Sequence, residues 1–165
     1  MNINNINVNK YPISQILDPE SKTIYEIPKY QREYIWGTKQ WEELFNDLME
    51  NGAGYFLGSI ICINTTQDTL NNPKFEVVDG QQRLTTLSLL LAALYVTLDS
   101  NRDSLDEDQQ SDILQLKRKL VIKKTQSEIR IVPQVQHKNL EDYMGLLADK
   151  KIIAPHQTPK FAGNR

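Results

Sequence analysis

The sequence predicts one α/β (α+β) domain, a small mixed sheet with several helices. Three observations predict it. A chain of 165 residues suits a single domain with its own core. Short β-branched or apolar runs recur at 23–27, 57–63, 75–78 and 128–132, each about a strand long. Between and after them, apolar residues recur at helical spacing.

Taken in order, residues 1–9 are Asn-rich, with Ile3, Ile6 and Val8 as a weak edge strand. A short helix or turn around Ile16 and Leu17 follows Ser14. Thr23–Ile27 reads as a strand that ends at Pro28, because a proline drives the residue before it towards extended backbone. Trp41, Leu44, Phe45, Leu48 and Met49 then fall at i, i+3, i+4, i+7 and i+8, which predicts a helix with one buried face, stopped near Asn51-Gly52. Leu57–Ile63 and Phe75–Val78 read as an antiparallel pair joined by the polar loop 65–74. Leu84, Leu87, Leu91, Leu94, Tyr95 and Leu98 mark a long central helix that is apolar over much of its circumference.

Ser104 and Glu107 have the spacing of a capping box for the next helix. That helix begins acidic (Asp106, Glu107, Asp108, Asp112) and ends basic (Lys117, Arg118, Lys119, Lys123, Lys124), a polarity that complements the helix dipole and needs no nucleic acid to explain it. Glu128–Val132 reads as a strand before Pro133, with Arg130 opposite Ile129 and Ile131, lining a pocket or facing solvent. His137–Asp149 reads as the last helix. The segment from 153 to 165 has two prolines, a glycine and no periodicity, so the domain is expected over 10–150, with 1–9 and 151–165 as flexible ends of a longer protein.

Several chemistries are excluded. The net charge of −2 and pI of about 5.7 give no global field towards nucleic acid or membrane. No apolar run approaches the ~20 residues that span a bilayer, residues 1–7 show neither a basic nor an apolar leader region, and a cytoplasmic protein is expected. One cysteine, Cys62, and two dispersed histidines cannot close a zinc-type site, so no side-chain metal cluster is expected. No G-x-x-x-x-G-K-[ST] is present, and Gly52-Ala-Gly54 with Gly58 lacks the spacing of a dinucleotide fingerprint.

The informative stretch is Phe75-Glu-Val-Val-Asp-Gly-Gln-Gln-Arg-Leu84: a strand, a glycine turn, and a helix with a cation in its first turn. The first N–H groups of a helix lack intrahelical partners and carry partial positive charge, so anions are held there. Arg83 in that turn opposes the dipole unless something anionic offsets it. The competing reading makes Asp79 an N-cap, with Gln82 completing a capping box and Arg83 paired with a surface carboxylate. Upstream, Tyr30-Gln-Arg-Glu-Tyr34 interleaves aromatics with a cation. Arg32 could hold a phosphate as a planar fork, and Tyr30, Tyr34 or Trp36 could stack on a base or simply pack.

Ile27-Pro-Lys-Tyr-Gln-Arg-Glu-Tyr-Ile-Trp36, Tyr55-Phe-Leu-Gly-Ser-Ile-Ile61 and Asp79-Gly-Gln-Gln-Arg83, in that order, resemble the N-terminal domain of GmrSD-type restriction endonucleases. The resemblance implies a ParB/sulfiredoxin-like fold, a role in defence against foreign DNA, and a nucleotide-binding and hydrolysing half coupled to an HNH-type nuclease that this chain lacks, so no nuclease activity is expected of it. It implies Asp79 and Arg83 as catalytic and Gln31, Arg32, Gly80, Gln81, Gln82 and Arg83 as nucleotide-binding. The expected function is a nucleoside triphosphate-binding, hydrolysing regulatory domain of a modification-dependent restriction or anti-phage system. Mg²⁺ bridging the phosphates needs only one or two carboxylates, for which Asp79, Glu33 and Glu76 are candidates. The alternatives are a non-hydrolysing sensor of modified DNA or nucleotide, and a structural adaptor for a separate nuclease.

Overall fold

The computed structural model describes residues 10–67, 72–122 and 128–154, the side chain of His137 excepted; the expected edge strand at 1–9 and the segment from 155 lie outside them. Among the described residues, five α-helices and four strands form an α/β fold around a mixed sheet. The helices are α1 (Ile13–Ile16), α2 (Thr38–Glu50), α3 (Gln81–Asp99), α4 (Glu107–Leu120) and α5 (Asn139–Asp149). The strands are β1 (Ile24–Glu26), β2 (Ile61–Asn64), β3 (Lys74–Asp79) and β4 (Ile131–Val132), in the order β2-β3-β1-β4.

The central strand β1 runs parallel to both neighbours, Tyr25 pairing with Phe75 on one side and Ile131 on the other. β2 is antiparallel to β3, with a register shift between Ile61 and Cys62 beside Asp79. This directionality puts the carboxyl ends of β1, β3 and β4 and the amino end of β2 on one edge of the sheet. Chain leaving that edge carries Gln31 and Arg32 after β1, Gly80 to Arg83 after β3, and Gln134 after β4, while Gly58 and Ser59 precede β2. In sheets with parallel strands, ligand crevices form outside the carboxyl ends.

Two apolar clusters hold the fold. Leu17, Ile27, Val77, Leu84 and Ile131 join α1 and the start of α3 to one sheet face. Ala92, Tyr95, Ile113, Leu116, Leu120, Tyr143 and Leu147 pack α3, α4 and α5 together. Leu91 touches both clusters. Ile152 and Ile153, which the sequence places in the flexible end, are buried in the second.

Other expectations change in detail. Asp106, not Ser104, caps α4: its side chain accepts from Gln109 N at 2.8 Å, and Asp106 N donates to Gln109 Oε1 at 3.1 Å. Ser104 instead closes a preceding 3₁₀ turn through Asn101 O. The stretch 57–60 is irregular and only 61–64 pairs, with Ile61 and Ile63 exposed. α2 forms where expected, but only Leu44 of its apolar stripe is buried, while Trp41, Phe45 and Met49 are exposed. Leu94, expected inside, is 45% exposed.

Arg130 neither lines a pocket nor meets solvent. It is fully buried, donating to Lys119 O, Arg118 O, Thr23 O and Ser21 O at 2.9–3.2 Å. Two of those carbonyls end α4, where partial negative charge offsets a buried cation. Burial pulls its pKa below the ordinary arginine value.

Candidate functional site

The turn between β3 and α3 is built on a left-handed glycine. Gly80 takes φ 84°, a conformation that costs an L-residue about 1–2 kcal/mol, and is the N-cap of α3. A Cβ there would stand 2.7 Å from Ser59 O, so the 58–60 loop lies directly against the turn. No side chain caps the helix. Asp79 ends β3 as an exposed residue, and Gln82 turns away from the cap, so the Asp79–Gln82 capping box does not form. The first helical bond is Leu84 N to Gly80 O, leaving the N–H groups of Gln81, Gln82 and Arg83 without intrahelical acceptors.

Gln82 instead holds the upstream motif. Its buried amide donates through Nε2 to Glu33 O at 2.9 Å and accepts from Ile35 N at 2.9 Å. Gln31 Nε2 donates to Val78 O at 2.7 Å, tying the same segment to the end of β3. Tyr34 hydroxyl and Thr86 Oγ1 share a 2.7 Å bond, Thr86 Oγ1 donates to Gln82 O, and Trp41 Nε1 donates to Tyr34. The Tyr34 hydroxyl therefore helps to position the 31–36 loop. The two motifs, far apart in sequence, are stitched into one unit.

Arg83 is anchored by the middle motif. Its Nη1 donates to Ser59 O at 3.1 Å, and the guanidinium lies so close over Gly58 that a Cβ there would be 2.5 Å from Cζ. Gly58 is at φ 104°. Nothing in the spacing of the glycines at 52–58 points to this contact; the signal available in the sequence is Gly58-Ser59 inside a motif of otherwise large apolar residues. Among the described residues Arg83 forms no salt bridge, so the surface-carboxylate partner of the competing reading is not found there.

The remaining residues sit around this unit. Arg32 is exposed beside Gln31 and makes no ion pair among the described residues, while Gln81 is buried. Tyr30 donates to Glu76 Oε1, a bond that raises the tyrosine pKa and occupies one of the candidate metal carboxylates. Among the described residues no three His, Cys, Asp or Glu side chains cluster for a metal.

A family model described as the N-terminal domain of the GmrSD restriction endonuclease matches residues 13–158. The chain belongs to that family. No curated protein matches the chain. In this GmrSD-type domain the matched span takes in all three motifs and every helix and strand described above. No helix among the described residues is long and apolar enough to cross a membrane. The basic end of α4 is occupied structurally: Arg118 pairs with Glu20, Lys119 donates to Leu17 O, and Lys117 donates to Lys151 O and lies over the Tyr95 ring. Lys123 and Lys124 lie outside the described residues.

Proposed function

We propose that this chain is the nucleoside triphosphate-binding and hydrolysing regulatory domain of a cytoplasmic, modification-dependent DNA restriction system that defends against phage. The observation that carries the reading is Arg83: a cation without a salt bridge among the described residues, braced by Gly58 and Ser59 O at an uncapped helix N-terminus. Its charge opposes the helix dipole, so the arrangement is favourable when a polyanion occupies it. In this reading the free N–H groups of Gln81 to Arg83 receive phosphate oxygens and Gly80 permits their close approach. Arg83 and Arg32 neutralise phosphate charge, and Asp79 orients water or Mg²⁺. Such positioning and charge stabilisation are most of what phosphoryl transfer asks of a protein. The side chains of Gln31 and Gln82 act indirectly, holding the loop that carries Arg32. DNA, and a nuclease domain or subunit, are the proposed partners.

The occupied basic end of α4 weighs against a DNA sensor built there. The test is a thermal-shift and phosphate-release panel over the nucleoside triphosphates with Mg²⁺, on the wild-type protein and Arg83→Ala. Expected is a triphosphate-dependent rise in Tm and slow hydrolysis, both lost in Arg83→Ala, whose ligand-free Tm stays within a few degrees of wild type. Binding without hydrolysis would leave the sensor alternative. No response to any triphosphate would sink the reading.

A further inference from the structure

We infer that the base of the bound triphosphate is read by the side-chain amides of Gln134 and Asn139, at the junction between β4 and α5. The inference rests on the triphosphate site proposed above and supplies its second half. Gln134 is 3% exposed, and neither its Nε2 nor its Oε1 has a hydrogen-bond partner among the described residues. The Nδ2 of Asn139, the first residue of α5, is buried and unpartnered in the same way. The backbone links the two, since Leu140 N donates to Gln134 O at 3.2 Å. A buried amide without partners destabilises a fold, and an apolar side chain of similar volume would serve the packing better. Such a group suits an interior in which a ligand completes its bonds.

The fold sets these amides beside the phosphate site. β4 and β3 leave the sheet at the same edge with β1 between them, and Glu26 stands level with both Glu76 and Val132. Gln134 follows that level by two residues, as Val78 does, so the two lie two strand spacings, ~10 Å, apart along the edge. α3 and α5 both start from this edge, and the Ser88 and Tyr143 hydroxyls bond each other between them. By helical spacing Gln81 and Thr85 share the Ser88 face of α3, and Asn139 shares the Tyr143 face of α5. Gln81 and Thr85 are buried. Polar side chains thus continue from the phosphate-binding turn at Gln81 across to Asn139 and Gln134.

Chemistry selects the ligand group. An amide offers a donor and an acceptor side by side, the complement of the paired donor and acceptor on a nucleobase edge. Glu141 and Asp142 in the first turn of α5 disfavour a further phosphate there, so the group is the neutral base. The base reaches the amides by displacing part of the 135–138 turn, in which Val135, Gln136 and Lys138 are exposed.

The probes are ATP, GTP, CTP, UTP and inorganic tripolyphosphate, each titrated with Mg²⁺ into the whole chain by isothermal calorimetry. Wild type should bind one of the four nucleotides at least tenfold tighter than the weakest of them, and tighter than tripolyphosphate. Gln134→Leu should bring the four to within about threefold while binding tripolyphosphate as wild type does, and its ligand-free Tm should be no lower than that of wild type. Asn139→Leu, at a half-buried position, should narrow the preference in the same direction. Undiminished discrimination in both variants overturns the inference and leaves the amides to ordered water. Equal binding of the four nucleotides by wild type, or tripolyphosphate binding as tightly as the best of them, overturns it while the phosphate site stands. Failure of all five probes overturns both the inference and the phosphate site beneath it.

Discussion

At the scale of single residues, the site depends on two glycines that do different work. Gly80 supplies the left-handed turn that starts α3, while Gly58 makes room for a guanidinium. Gly58→Ala meets both obstacles, a positive φ and an Arg83 side chain 2.5 Å from the new methyl. It should destabilise the protein by roughly 1–3 kcal/mol and weaken triphosphate binding by displacing Arg83. Gly52→Ala, with nothing within 4 Å and no positive φ, is the control and should shift the urea midpoint little. Equal effects from the two substitutions would show that the Arg83 guanidinium does not rest over Gly58.

Tyr143 gives a second residue-scale test. It is buried on α5, bonded to the Ser88 hydroxyl of α3, and burial pushes its phenol up to about 12. The folded protein thus holds this proton more tightly than the unfolded chain, whose tyrosine titrates near 10. The resulting stability is complete below about pH 10 and is lost as pH rises towards 12, at up to about 1.4 kcal/mol per pH unit. Tyr25, also raised to about 12 chiefly by burial, acts in the same direction. Urea midpoints measured from pH 8 to 11.5 should be flat and then fall, and Tyr143→Phe should make the alkaline fall shallower. A Tyr143→Phe slope identical to wild type would mean that the phenol is not sequestered.

Among the elements, α3 divides into a buried first half and a partly open second half. Leu84, fully buried beneath the sheet, should cost roughly 2–5 kcal/mol when truncated to Ala, through transfer and cavity terms together. Leu94→Ala should cost less than about 1 kcal/mol because nearly half of its surface is already wet. Chemical denaturation of the two variants side by side decides it. The apolar periodicity of 84–98 predicted both as core. Periodicity reports which faces avoid charge, not which face another element of the same chain covers, and that is also why the stripe on α2 was legible while its exposure was not.

For the molecule as a whole, strand and helix positions were readable because β-branched runs, Pro28 and Gly80 mark them locally. The pairing of the Gln31 and Gln82 segments was readable only as a resemblance, since nothing local to either segment names the other. Arg130 could not be read at all: alternation puts it opposite Ile129 and Ile131, and only the tertiary arrangement of α4 and the 21–23 loop turns that side into a carbonyl cage. A chain ending at Ile122 would lack Arg130, Ile131 and the β4 edge. It should give no cooperative unfolding transition and should be digested rapidly by proteases, whereas a resistant, two-state fragment would show that β4 is dispensable.

The placement of β1 has a consequence for synthesis. Tyr25 emerges early from the ribosome, but its two neighbours, Phe75 and Ile131, follow much later. Until both have been made, the middle strand of the sheet keeps a bare hydrogen-bonding edge, and until Val78 and Gln82 follow, the Gln31–Trp36 loop lacks the partners that tie it down. Pairings so distant along the chain close slowly and leave apolar runs open to other nascent chains. The domain should therefore assemble its sheet in one late step, when β4 arrives, and until then the growing polypeptide is a natural client for a holding chaperone.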